Sequence, residues 1–258
     1  MKGTFLATFL ALAVTLPAVA QKKPAPTQHL AGSLERSEVS PPVLAPTLPT
    51  LCKPCVFYGG DFNPGDANAT GLSDENTLLV LGSSTYAALD VPSGVTVTVT
   101  GILVNVQADT AFDPGSATYD IRTGITEGNG GTSIASGTAK IHVALTGRNF
   151  LGLNEFTVAV LLPAPQVLST GEYWFNVTPQ CTNSTTDGSC IAGRVFLSNT
   201  TQETNGLNPG LQPGGSLYWN SAYFGISWDN WCDSSFGLTA QQCNAASFGL
   251  TGSLAKSN

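Results

Sequence analysis

Two indoles flank an acid and an amide at Trp228-Asp229-Asn230-Trp231, close behind Tyr218, Trp219, Tyr223 and Phe224. Sugars bind such surfaces because an aromatic face covers the C–H side of a pyranose while Asp and Asn take its hydroxyls. Trp174 joins the set through alternation. Along Glu172–Thr178, Tyr173, Phe175 and Val177 fall on one side, and Trp174 falls on the other with Glu172 and Asn176. The ligand-binding candidates are therefore Trp174, Trp219, Trp228, Asp229, Asn230 and Trp231, for a glycan or cell-surface ligand. The plainer use of the same residues is a core ladder closed by a loop at Cys232, with Trp174 packed beneath another loop.

A second chemistry is suggested by oxygen side chains. Asp61, Asn63 and Asp66 crowd one Gly/Pro-rich loop, and Asp74 and Glu75 follow soon after. Calcium takes six to eight oxygens from such loops. The spacing is not that of an EF-hand, since Gly65 stands one position early and no Glu closes the loop. Asn/Asp/Gly/Pro loops also make turns without a metal. Calcium is thus a candidate ligand, and no cofactor is required.

Nucleophilic catalysis has little to work with. His29 and His142 are the only histidines, and no G-x-S-x-G elbow occurs. Gly128-Asn129-Gly130-Gly131 lacks a following Lys-Ser/Thr and reads as a turn, not a phosphate cradle. A carboxylate pair for glycoside cleavage, drawn from Asp120, Glu127, Glu155 and Glu172, is the one catalytic alternative. The expectation is a non-catalytic binding module. The alternatives are a structural extracellular protein and a carbohydrate-active hydrolase.

Lys2, the apolar run Phe5–Val14 and the small-x-small triplet Ala18-Val19-Ala20 form a secretory signal over residues 1–20. The apolar run is too short to span a bilayer, so no membrane insertion is expected. Six cysteines fit an oxidising compartment and fall in local pairs: Cys52 with Cys55, Cys181 with Cys190, Cys232 with Cys243. Neighbour pairing is the simplest of the 15 connectivities that six cysteines allow. The formal charge is −7, and basic residues are scattered. A nucleic-acid partner is therefore not expected. Nothing in the sequence sets an oligomeric state.

These residues need elements to hold them. Residues 21–50 are Pro-rich, with no apolar period, and read as a linker. Short alternating strands punctuated by turns fill residues 51–254, ahead of a tail at 255–258. The strongest strand signal lies in Ala87–Asp109, with strands expected at Val95–Thr100 and Ile102–Ala108. Val95, Val97 and Val99 alternate with threonines, then Ile102, Val104 and Val106 take the opposite parity after Gly101. A phase change of that kind needs a bulge or a bend between sheets. Further strands are expected at Leu78–Leu81, Ala87–Val91, Ala117–Thr123, Lys140–Leu145, Glu155–Leu162, Glu172–Thr178, Arg194–Leu197, Ser216–Asn220, Ala222–Ser227 and Ser247–Thr251. Within Lys140–Leu145 the inward set is Ile141, Val143 and Leu145. The fold class is all-β: an antiparallel β-sandwich, jelly-roll-like.

The blocks YGGDFNPGDANATGLSDEN, YAALDVPSGVTVTVTGILVNV, IRTG…GNGG…SGTA, GEYWFNVTP and ASFGLTG follow one another in this order. Over about Phe57 to Leu254 this layout resembles bacterial secreted domains that precede sorting or anchoring tails, of the PEP-CTERM and choice-of-anchor type. The resemblance implies a secreted β-sandwich and assigns no catalytic residue. The chain departs from that group in lacking a PEP-type tail, which leaves surface anchoring unsupported.

Overall fold

The computed structural model describes residues 33–35, 49–65, 69–109, 111–182, 193–200, 207, 210–232 and 245–256. These contain fifteen strands and no helix. In chain order they are β1 Ser33–Glu35, β2 Cys55–Tyr58, β3 Thr70–Ser73, β4 Asn76–Thr77, β5 Ser83–Val91, β6 Val95–Ala108, β7 Ser116–Thr123 and β8 Thr132–Phe150. They continue with β9 Leu153–Leu168, β10 Gly171–Cys181, β11 Val195–Thr200, β12 Gln212–Ser221, β13 Ile226–Asn230, β14 Ala245–Ala246 and β15 Phe248–Lys256.

β6 shows why the chain folds as it does. Val95, Val97 and Val99, then Ile102, Val104, Val106 and Ala108, all face the same apolar interior. The parity change is absorbed at Gly101, where the pairing of β6 with β9 and with β15 shifts register. The backbone bulges within one sheet rather than passing to another. Only glycine fits there: a Cβ would stand 2.7 Å from both Val160 O and Thr251 Oγ1.

The hydrogen-bonded order is β1-β3-β11-β6-β9-β8-β7-β10-β5-β12-β13, with β15 joined to β2 and β6, β14 to β11, and β4 to β10. All pairings are antiparallel except β10 with β4. One long strand links the two faces. The first half of β8, Thr132–Lys140, pairs with β7, and the second half, from Ile141, pairs with β9. The first sheet (β3, β11, β6, β9, β15, β2) then packs against the second (β7, β10, β5, β12, β13), β6 lying against β5 and β10. One cluster of buried apolar residues fills the space, from Leu89, Ile121, Phe175, Val177 and Trp219 on one side to Val104, Val158, Leu197 and Phe248 on the other.

Several expectations are corrected. Leu78–Leu81 is a turn, with Leu78, Leu79 and Leu81 exposed. Thr77 Oγ1 accepts from Leu79 N and Val80 N, and Asn76 Oδ1 accepts from Gly82 N. Local side-chain acceptors therefore take the donors that a sheet ladder would use. Ala222–Gly225 is likewise a turn, and the strand begins at Ile226. Leu145 faces solvent, and Ile141 and Val143 pack on the core. Within the expected linker, β1 pairs with β3, and β15 extends to Lys256. The remainder of residues 1–48, with the signal and His29, lies outside the described residues.

Candidate functional site

The outer face of the second sheet carries the residues that alternation turned away from the core. β8 supplies Ser136 and Thr138, β7 Thr118 and Asp120, β10 Asn176 and Thr178, and β5 Ser84 and Tyr86. Register sets them in rows: Thr138 lies opposite Thr118, which lies opposite Thr178. Ser136 lies opposite Asp120, which lies opposite Asn176. Ser84 Oγ meets Thr178 Oγ1 at 3.1 Å.

Over these rows runs a shallow trough of about 320 Å³, lined by Ser84, Tyr86, Thr118, Asp120, Ser136 and Asn176 among others. It is concave. Ser136 and Thr138 are exposed at the rim, whereas Asn176 and Thr178 at the centre are each 2% exposed. Asp120 is held from both sides. Its Oδ1 accepts from Ser133 Oγ at 2.6 Å, and its Oδ2 from Arg122 Nη1 at 2.7 Å and Tyr86 Oη at 3.1 Å. Burial, and then the charge of Asp120, push the Tyr86 phenol up, so it stays a neutral donor. Asp120 and Arg122 take the outward parity of β7, but alternation along one strand cannot show that four strands bring hydroxyls and amides together there.

An aromatic wall stands beside the trough. Trp174, Tyr86, Ala88, Ile125 and Tyr218 form a second apolar cluster with Trp228 against it. Trp174 is 4% exposed and donates from Nε1 to Ser216 Oγ at 3.3 Å. The turn after β7 contributes Ile125 to its cover, which is the packed alternative for Trp174. Trp228 is half-buried. Its ring lies 4.9 Å from Tyr86, and the Arg122 guanidinium sits 4.8 Å from its centroid. The glycine turn leans on the indole, since a Cβ at Gly130 would collide with it. Arg122 Nε also donates to Gly130 O at 2.7 Å. Trp228 holds φ at +51°, a conformation a bulky residue adopts only when its surroundings impose it.

The other expected aromatic contacts lie elsewhere. Trp219 is fully buried and donates to Ser83 Oγ at 2.9 Å. Trp231 packs edge-on to it at 6.1 Å and is 2% exposed. Both belong to the interior, so they offer no face to an external ligand. Asp229 is buried between them in sequence. Asn230 Oδ1 accepts from Cys232 N, and its backbone N donates to Glu127 Oε2.

The oxygen residues divide into separate networks. Behind the first sheet, Tyr58 Oη donates to Asp61 Oδ1 at 2.5 Å, and Arg148 bridges Asp61 Oδ2 and Glu155 Oε2. Asn105 and Thr157 continue the network to Tyr58. Gln107 stands beside it, fully buried, with neither amide atom hydrogen-bonded. Asn63 Oδ1 caps its own turn by accepting from Gly65 N. At the rim between the sheets, Glu75 Oε1 accepts from Arg194 Nε at 2.8 Å and from Ser73 Oγ, and Oε2 from Val195 N. Asp74 Oδ1 accepts from Thr178, Asn176 and Thr85 N. Its Oδ2 has no partner, and burial pushes its pKa up to about 7. Asp61 and Glu75 are thus matched by arginines in different places. Among the described residues no three His, Cys, Asp or Glu side chains converge as metal ligands. Asp66 lies outside the described residues.

Cys52 and Cys55 form a disulfide. Cys181 is also disulfide-bonded, and Cys232 ends the turn after β13. Cys190 and Cys243 lie outside the described residues.

Compared with protein-family models, with curated proteins and with solved structures, the chain matches none.

Proposed function

We propose that the protein is a secreted, non-catalytic binding module for a glycan or similar hydroxyl-rich ligand, and that the ligand sits in the trough over β8, β7, β10 and β5. One observation carries the reading. A concave surface presents Thr and Ser hydroxyls, Tyr and a braced Asp carboxylate side by side, the donors and acceptors that match sugar hydroxyls. The aromatic contribution is Tyr86, whose ring joins the trough to Trp228.

Position argues against one of the carboxylate pairings that hydrolysis would need. Glu155 is buried behind the first sheet against Arg148, and Asp120 lies on the outer face of the second. The secretory signal and the cysteine disulfides support a location outside the cytoplasm. A structural extracellular role is the second reading, favoured by the burial of Trp174, Trp219 and Trp231.

A glycan array with wild type, Asp120→Ala and Thr118→Val separates the two. Binding by the wild type that falls at least about tenfold in both variants, a loss of ~1.4 kcal/mol, supports the trough. Silence of the wild type across the array supports the structural role.

A further inference from the structure

Resting on the trough as the binding surface, we propose that its ligand is an extended, uncharged polymer that crosses the strands and is held mid-chain. The polar rows run perpendicular to the strands. The first passes from Thr138 through Thr118 and Thr178 to Ser84, and Ser84 lies opposite Asn220 on β12. The second passes from Ser136 through Asp120 to Asn176. Beyond it Tyr86 lies opposite Tyr218, which lies opposite Asn230. Neighbouring strands are ~4.8 Å apart, so five strands offer polar groups over about 19 Å. A single sugar ring covers only part of such a row, whereas a chain of several rings meets fresh polar groups on β8, β7 and β5, with Asn176 and Thr178 of β10 turned down onto Asp74 beneath them.

The ends are open. On its outer side the first half of β8 has no partner strand among the described residues, so the trough runs out over an edge without a wall. A ligand can therefore enter and leave along its length. A site for chain ends needs a closed end to recognise the terminus.

The charge pattern selects against ionic polymers. Asp120 is the only ionisable acid or base among the trough's lining apart from tyrosines, and Arg122 neutralises it at 2.7 Å. The other groups are hydroxyls and an amide. An anionic chain would face the Asp120 carboxylate, and a cationic chain would find the carboxylate already paired.

Calorimetry on the whole chain tests this with neutral oligosaccharides of two to six units from cellulose, chitin and mannan. A polygalacturonate series of the same lengths provides the charged comparison. The expected result is affinity that climbs at least roughly tenfold between two and four units and then levels off, with the charged series weaker throughout. Thr138→Glu, at the exposed rim, should remove the gain with length while circular dichroism stays unchanged. A disaccharide that binds as tightly as the hexamer overturns the mid-chain proposal and leaves glycan binding standing. Failure of every oligomer and of the parent polymers overturns the trough reading itself.

Discussion

Gln107 is the least comfortable side chain described. Both of its amide atoms are buried without a partner. A buried polar atom left unpaired costs ~1–3 kcal/mol, so Gln107→Met, of similar length, is expected to raise stability by about that amount. A urea midpoint lower than wild type would refute the idea. Arg148 behaves in the opposite sense. It bridges Asp61 and the fully buried Glu155, and Arg148→Ala takes the cation away from Glu155. The expected loss is about 3–5 kcal/mol, read from the same titration. Asp74 makes stability depend on pH. Its folded pKa of about 7 exceeds that of an unfolded carboxylate, so the folded state binds the extra proton between about pH 4 and 7. Stability from this group is greatest below that window and falls as pH rises through it. Burial raises Glu75 and Glu155 as well, which adds to the same slope. Urea midpoints at pH 4.5, 6 and 8 should therefore decline in that order, and Asp74→Asn should flatten the decline. A wild type most stable at pH 8 would contradict the assignment. None of these networks was legible in the sequence. Arg148 meets Glu155 because β8 and β9 pair, Asp61 reaches Arg148 from the loop after β2, and Asp74 meets Asn176 and Thr178 across more than a hundred residues.

At the scale of elements, alternation was a good guide wherever large apolar residues marked one face. The valines of β6, the Tyr119 and Ile121 side of β7 and the Phe175 and Val177 side of β10 all point inward as their period requires. It failed in two ways. The apolar run at Leu78–Leu81 carries strand-forming composition, but Thr77 and Asn76 capture its backbone donors and turn it outward. The first half of β8 holds Ser, Gly, Ala and Thr with little apolar contrast, so nothing in its sequence announces a nineteen-residue strand. That half-strand is also the trough's rim, which is why the site itself could not be read beforehand. The most exacting element is the bulge. Because a methyl at Gly101 would meet a backbone carbonyl and a threonine hydroxyl at 2.7 Å, Gly101→Ala forces β9 or β15 away. Overpacking of this kind costs about 1–3 kcal/mol. Chemical denaturation should show that loss, and a variant as stable as wild type would mean that the strands yield without cost.

At the scale of the whole molecule, two sheets joined through β8 divide the aromatic residues into three environments. Trp219 and Trp231 lie in the shared interior, Trp174 under the turn on the outer face, and Trp228 at the boundary with solvent. The sequence grouped them as one surface because alternation assigns a residue to a side of its own strand and says nothing about what later covers that side. The division has a spectroscopic consequence. Burial removes three of the four indoles from contact with a soluble quencher, so acrylamide should reach chiefly Trp228. In the folded protein only a minor fraction of the emission should be quenchable, and Trp228→Phe should abolish most of that fraction while leaving the buried, blue-shifted component in place. Guanidinium unfolding should make all remaining indoles accessible in one cooperative step, since a single core holds both sheets. Folded emission quenched as readily as that of the unfolded chain would show that the sandwich does not close over its tryptophans. Because Tyr86 touches both the trough and Trp228, a ligand seated in the trough should also shift this accessible component and no other. A ligand-induced shift that survives in Trp228→Phe would instead place the binding surface elsewhere on the molecule.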